Sequence, residues 1–281
     1  MTNLLKTIVR IIEGPIISVQ DHYSGNNRAN SAGDALEEYI KDSFADSFDC
    51  TDTQRLEKWN EVFSYLGNQN NPPDIMIKLG DAIETKKVES SGSALALNSS
   101  YPKAKLYSAS PMITSACRTC EDWDKKDMIY AVGHVVNKQL KCLWFVYGDC
   151  FAAEKETYER IKTTISDGIN TIGDVEFTIT NELGKVNKVD PLGITDLRIR
   201  GMWHIKNPKK VFDYLDIYSD DDCFQLISIM KKEKFNSFPL EDRELLRNMV
   251  KDNYTFSEIQ IKNPNNPAQL IDAIIIRYKV V

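Results

Sequence analysis

The sequence predicts an α/β fold: a central mixed sheet flanked by helices, followed by a C-terminal part in which helices and strands mix. Three observations carry this expectation. The stretch through Phe44 holds two amphipathic helical patterns, the middle of the chain holds the nearly continuous apolar run KCLWFVYG, and the C-terminal part ends in two strand patterns, YTFSEIQIK and AIIIRYKVV. An apolar run of strand length implies burial on both faces, the situation of a sheet covered by helices. With 281 residues the chain suits one large body, since single α/β units often exceed the usual domain size of roughly 100 to 200 residues. Residues 16–170 are expected to form its core and residues 171–281 to complete the sheet.

Each element has its own local warrant. A helix is expected over Asn3–Ile12, stopping near Gly14 and Pro15. The next begins at Ser31, with Asp34 completing a capping-box pattern, and stacks Leu36, Ile40 and Phe44 on one stripe. Glu37 lies on the flank of that stripe and Glu38 on the far side, so Glu37 is the acid expected to face inward. Between these helices, SGNNRAN is a polar loop carrying Arg28 and Asn30. Residues 72–89, PPDIMIKLGDAIETKKVE, alternate as two strands with Gly80-Asp81 as the turn. A Ser/Asn/Lys-rich excursion follows, then the strands DMIYAVGHVV and KCLWFVYG, then a helix over Ala152–Ile165 with Tyr158, Ile161 and Ile165 on one side. DVEFTIT and DLRIRGMWHI suggest strands, DDCFQLISIMKK and LEDRELLRNMVKD suggest helices, and the two closing strands complete the order.

Composition narrows the function classes. Hydrophobic residues make up 42% and charged residues 27%, which excludes wholesale disorder. The apolar N-terminal stretch MTNLLKTIVRIIEGPII is broken by Lys6, Arg10 and Glu13, so it reads as an amphipathic helix and not as a signal or membrane span. A cytoplasmic protein, with no membrane partner, is expected. Six cysteines in a chain of this length read as reduced thiols. The net charge of −6 argues against general nucleic-acid affinity, but charge is unevenly spread. Residues 185–210 carry five lysines and two arginines against two aspartates, the composition of a local basic surface.

The chemistry concentrates in the hairpin. On a strand, residues two apart share a face, so Glu84 and Lys86 project together. A surface ion pair is the bland reading. Adding Asp74 gives two carboxylates and a lysine, a set able to hold a hard divalent cation and position a water against phosphate. With a two-residue turn, however, Asp74 falls opposite Lys87, about 10 Å along the strand from Glu84. A bend or bulge after Asp74 is required to bring the two acids together. Cys117 and Cys120 have the spacing of half a zinc site with no second pair, so unmetallated thiols are expected. His22, His134 and His204 form no local triad, and Trp123, Trp144 and Trp203 are expected to be structural, with Trp203 lying among basic residues.

Pro73-Asp74 followed by Glu84-Thr85-Lys86 resembles the PD-(D/E)XK nuclease signature, with Glu37 where many members carry an additional acid. The blocks GNNRANSAGDALEEYIKD, ETKKVESSGSALALNSSYPKAKL and CRTCEDWDKKDMIYAVGHV resemble the NgoPII-like type II restriction endonucleases, over about half the chain. The resemblance implies a restriction-endonuclease-like core and a homodimer making magnesium-dependent double-strand cuts in a short DNA palindrome, GGCC in that group. It implies ends with a 5′-phosphate and a 3′-hydroxyl, and a DNA methyltransferase as genetic companion. Asp74 and Glu84 would hold Mg2+, Lys86 would position and help deprotonate the attacking water, and Glu37 would support them. Residues 171–281 would contribute DNA recognition. By residue type, Arg118, Arg198, Arg200 and His204 are candidates for reading bases, and Arg28, Asn30, Asn98, Lys103 and Lys105 for phosphate or groove contacts. The rivals are a repair or mobile-element nuclease on the same core and a noncatalytic DNA-binding protein that kept the scaffold.

Overall fold

A computed structural model of the chain describes residues 2–24, 32–68, 71–173 and 175–281. Arg28, Asn30 and the expected cap Ser31 lie outside the described residues. The helices are α1 (Leu4–Glu13), α2 (Val19–Ser24), α3 (Ala32–Ala45), α4 (Asp52–Val62), α5 (Ser115–Thr119), α6 (Gly148–Phe151), α7 (Lys155–Ile169), α8 (Pro208–Val211), α9 (Lys232–Ser237) and α10 (Leu240–Arg247). The strands through the middle of the chain are β1 (Phe63–Tyr65), β2 (Ile75–Ile77), β3 (Ala82–Val88), β4 (Leu95–Ala96), β5 (Lys105–Tyr107), β6 (Lys125–Val136) and β7 (Gln139–Tyr147). They are followed by β8 (Glu176–Thr178), β9 (Gly184–Asn187), β10 (Leu197–Ile199), β11 (His204–Ile205), β12 (Phe224–Lys231), β13 (Tyr254–Asn263) and β14 (Asn266–Val280).

The main sheet runs β1-β2-β3-β6-β7-β12-β14-β13, with β5 paired to the leading end of β6. It is mixed: β3 is parallel to β6 and β7 to β12, while the other neighbours are antiparallel. This is the expected α/β architecture with a restriction-endonuclease-like core. Its central strands are buried nearly end to end, β7 from Cys142 to Tyr147 and β12 from Phe224 to Met230, which is why both read as continuous apolar runs.

β12 corrects the sequence reading, which expected a helix over DDCFQLISIMKK. A short apolar run does not by itself distinguish a buried strand from a buried helix. Here Phe224, Ile227 and Ile229 supply the aromatic and β-branched shapes that suit a pleated surface, and pairing on both edges settles the conformation.

Helix α1 starts as expected, with Asn3 accepting from the Lys6 amide. It is tied to α10 by Asn3 Nδ2 donating to Asp242 Oδ2 at 2.7 Å. The stripe Leu36, Ile40 and Phe44 of α3 is fully buried. α3 approaches β6 so closely that a Cβ at Gly133 would stand 2.5 Å from Leu36 Cδ2. The Glu38 reading is corrected: Glu38 Oε2 pairs with Arg55 of α4 at 2.6 Å, and its side chain is less exposed than that of Glu37. The sequence assigned nothing to α4, whose packing turns the far side of α3 inward. Two smaller sheets, β10-β9-β8 and β11-β4, stand off the main one. Among the described residues, no helix is long and apolar enough to cross a membrane.

Candidate active site

The turn between β2 and β3 determines where Asp74 falls. Ile77 N–H bonds to Asp81 O at 3.0 Å, and the ladder pairs Ile75 with Ile83 and Met76 with Ala82. The loop is therefore Lys78-Leu79-Gly80, with Leu79 at φ 54°, and not the two-residue Gly80-Asp81 turn the sequence suggested. Leu79 is held in this left-handed conformation by Glu121 Oε2, which accepts its amide at 3.0 Å. Buried Lys126 pins the same loop from inside, donating to Gly80 O at 2.7 Å.

The longer loop moves the register so that Asp74 falls beside Glu84. Its amide donates to Ile83 O at 3.1 Å, and its Oδ2 accepts from the Thr85 amide at 2.7 Å. The expected bend or bulge after Asp74 is therefore replaced by a change of register: the β2–β3 ladder runs without a register shift, and the three-residue loop sets Asp74 opposite Glu84. Glu84 Oε1 meets Lys86 Nζ at 2.6 Å, confirming that these two side chains share a face. Gly67, at φ 73°, lies against the Asp74 backbone so tightly that a Cβ would stand 2.3 Å from Asp74 O.

Electrostatically the site is strained. Burial and the adjacent Glu84 carboxylate push the Asp74 carboxyl up to about 8, despite relief from Lys86 and the Thr85 amide. For Lys86, burial opposes the charge, but Glu84 and Asp74 outweigh it and raise the ammonium above the usual lysine range. Glu37 also raises both groups, so it stands near the site. Its carboxylate is nevertheless paired with Lys41 at 2.7 Å. Glu84 Oε2 is buried and has no hydrogen-bond partner among the described residues.

These features fit a divalent cation. Two crowded carboxylates, one with an orphaned buried oxygen, gain an attractive partner where they now repel. Among the described residues no cluster of three or more His, Cys, Asp or Glu side chains offers a complete cage. A magnesium-type ion needs none, because it usually takes one or two carboxylates and fills its shell with water and substrate phosphate.

Asp74, Glu84 and Lys86 open onto a cleft of about 540 Å³ whose lining also includes Asn98, Lys103, Arg198 and Arg200. The two arginines reach it from the β8–β10 sheet and its following loop, and each donates to buried Glu182 at 2.8 Å. Four of the described sequence candidates do not line this cleft: Glu37, which is paired with Lys41, and three of the DNA-contact candidates. Lys105 is committed to Asp127 and to Asp149, the latter at 3.0 Å. Exposed Arg118 closes its own loop on Ser108 O and Ser110 O at 2.8 and 2.9 Å. His204 sits exposed on β11 opposite Ala96. The Cys117 thiol is buried 3.3 Å from Met76 Sδ, and Trp203 packs edge-on against Tyr101 and Tyr158.

Sequence reasoning missed Glu182, Tyr101 and Tyr130, which also line the cleft. Tyr130 lies in the strand pattern DMIYAVGHVV that the sequence did show, but its place opposite Glu84 comes from the parallel β3–β6 register, which only the folded sheet fixes. Glu182 had no signal, since its role depends on two arginines that meet it only after folding.

The sequence model of the NgoPII restriction endonuclease family matches residues 2–262. This chain belongs to that family. It is 49% identical over 277 residues to the type II restriction enzyme NgoPII of Neisseria gonorrhoeae, covering 98% of this chain and 99% of the relative. No solved structure matches. Family membership makes the chain a type II restriction endonuclease, a site-specific DNA-cutting enzyme, and sets aside the noncatalytic rival.

Proposed function

We propose that this restriction endonuclease makes magnesium-dependent double-strand cuts at a short palindrome, with GGCC as its site. The observation that carries the mechanistic part is the buried Glu84 Oε2, without a hydrogen-bond partner among the described residues, beside the crowded Asp74 carboxyl. Asp74 and Glu84 are the residues that would hold the ion. When bound, a divalent cation supplies charge neutralisation at phosphate and a more acidic water. Lys86 is the water-positioning group: its ammonium stands 2.6 Å from Glu84 and loses the reason for its raised proton affinity once those carboxylates have another cationic partner. Glu37 supports Lys86 from α3 through its charge. Arg198 and Arg200 present donors of the type that pairs with guanine O6 and N7, while Asn98 and Lys103 suit phosphate or groove contacts. A homodimer matches a palindrome, because each subunit can present one site to one strand. A DNA methyltransferase is the expected genetic companion.

The test is to incubate the protein with plasmid DNA and magnesium and to sequence the ends. Discrete fragments sharing one terminal sequence, with 5′-phosphates, are expected; random nicking, or cutting undiminished in EDTA, would sink the reading.

A further inference from the structure

Lys103 is a lysine buried to 6% exposure in the wall of the same cleft. No carboxylate lies within ion-pair distance of its ammonium among the described residues. Its Nζ donates to Ser100 Oγ and, at 3.2 Å, to Tyr101 O, both neutral acceptors. Burying a cation without a counter-ion is costly, and the backbone holds it there from two directions. From below, Tyr130 OH accepts the Lys103 amide at 2.7 Å, and Tyr130 is the register partner of Glu84. From behind, Gly148 lies against the Lys103 carbonyl, where a Cβ would stand 2.2 Å from the oxygen. The segment is therefore clamped in the cleft wall, with its ammonium over the Tyr101 ring at 5.0 Å and with no carboxylate in ion-pair distance among the described residues.

We infer that Lys103 is a second catalytic lysine, whose ammonium meets a non-bridging oxygen of the phosphodiester being cut and balances the charge that builds there. The inference rests on the proposed reaction at Asp74, Glu84 and Lys86, and it gives Lys103 a part in the rate beyond a groove contact. Its proton affinity agrees: burial pushes the ammonium down to about 8, with Glu84 partly offsetting this and Lys162 and Lys86 adding to it. A phosphate oxygen is the anionic partner that this environment lacks. Preorganised charge of this kind acts mainly on the transition state.

The experiment uses Lys103→Met, which keeps the length and removes the charge. With enzyme in excess over supercoiled plasmid and magnesium present, the cutting rate is expected to fall roughly a hundredfold. Binding to the same plasmid in EDTA should weaken far less than the rate, by about tenfold at most for one lost phosphate contact, and Tm should rise because an uncompensated buried charge is gone. Lys103→Gln, which keeps a hydrogen-bonding head group, is held to the same rate and binding criteria and decides the matter if the methionine variant does not fold. A rate within threefold of wild type overturns the inference, as does a loss of affinity whose effect on rate vanishes at saturating DNA. A wild type that fails to cut overturns both this inference and the proposed reaction, whereas a cutting wild type matched by the variants overturns this one alone.

Discussion

At the scale of the residue, Asp74 makes the sharpest physical statement. Its ordinary value of 3.8 is pushed to about 8 by burial and by Glu84, so between those values the folded, metal-free protein keeps a proton that the unfolded chain releases. The stability contributed by Asp74 must then fall as pH rises from about 4 to about 8, by on the order of a few kcal/mol. Thermal melts in EDTA should show it as a difference between Asp74→Asn and wild type that grows across that range, with the variant the more stable at pH 8. A difference that does not grow would locate the proton elsewhere. Glu84→Ala and Lys86→Ala should each slow plasmid cutting by roughly a thousandfold or more while largely sparing DNA binding. Full activity in either, measured in single-turnover assays, would remove the proposed mechanism.

At the scale of the element, the β2–β3 hairpin works because two neighbours fix it. Gly67 is the tighter constraint: the left-handed backbone and the 2.3 Å approach to Asp74 O leave no room for a side chain. Gly67→Ala should therefore cost about 1–3 kcal/mol in denaturant melts and slow cutting by displacing Asp74; an active, fully stable variant would show that the loop can retreat. The shared face of Glu84 and Lys86 was legible in the sequence, because alternation is a property of any strand. The register was not, because it depends on a leucine adopting a conformation that glycine or asparagine usually takes, and Leu79 does so under the grip of Glu121, a residue far along the chain. The same limit explains β12, whose identity is decided by β7 and β14 on its flanks, and Glu182, whose partners reach it through the β9–β10 pairing.

At the scale of the whole molecule, the net charge of −6 coexists with a cleft where Lys103, Arg198 and Arg200 gather. Much of the basic segment over residues 185–210 is internally neutralised, Lys185 by Asp196, Lys188 by Glu176 and Lys209 by Asp220, so few cations remain to meet phosphate. DNA affinity should accordingly show a shallow salt dependence, and Arg198→Ala should reduce the slope by about one if that residue meets phosphate. An unchanged slope with altered cleavage sequence would assign it to base reading. The proposed homodimer should sediment as a two-subunit species in analytical ultracentrifugation. One feature of the sheet bears on how such an enzyme comes into being. Strand β7 is covered on its outer edge by β12, and α1 is tethered to α10, so a nascent chain that already contains Asp74, Glu84 and Lys86 still exposes an open, apolar strand edge. Synthesis must pass Arg247 before the first helix meets its anchor, and a product released earlier is a candidate for aggregation and proteolysis, not a smaller pair of scissors.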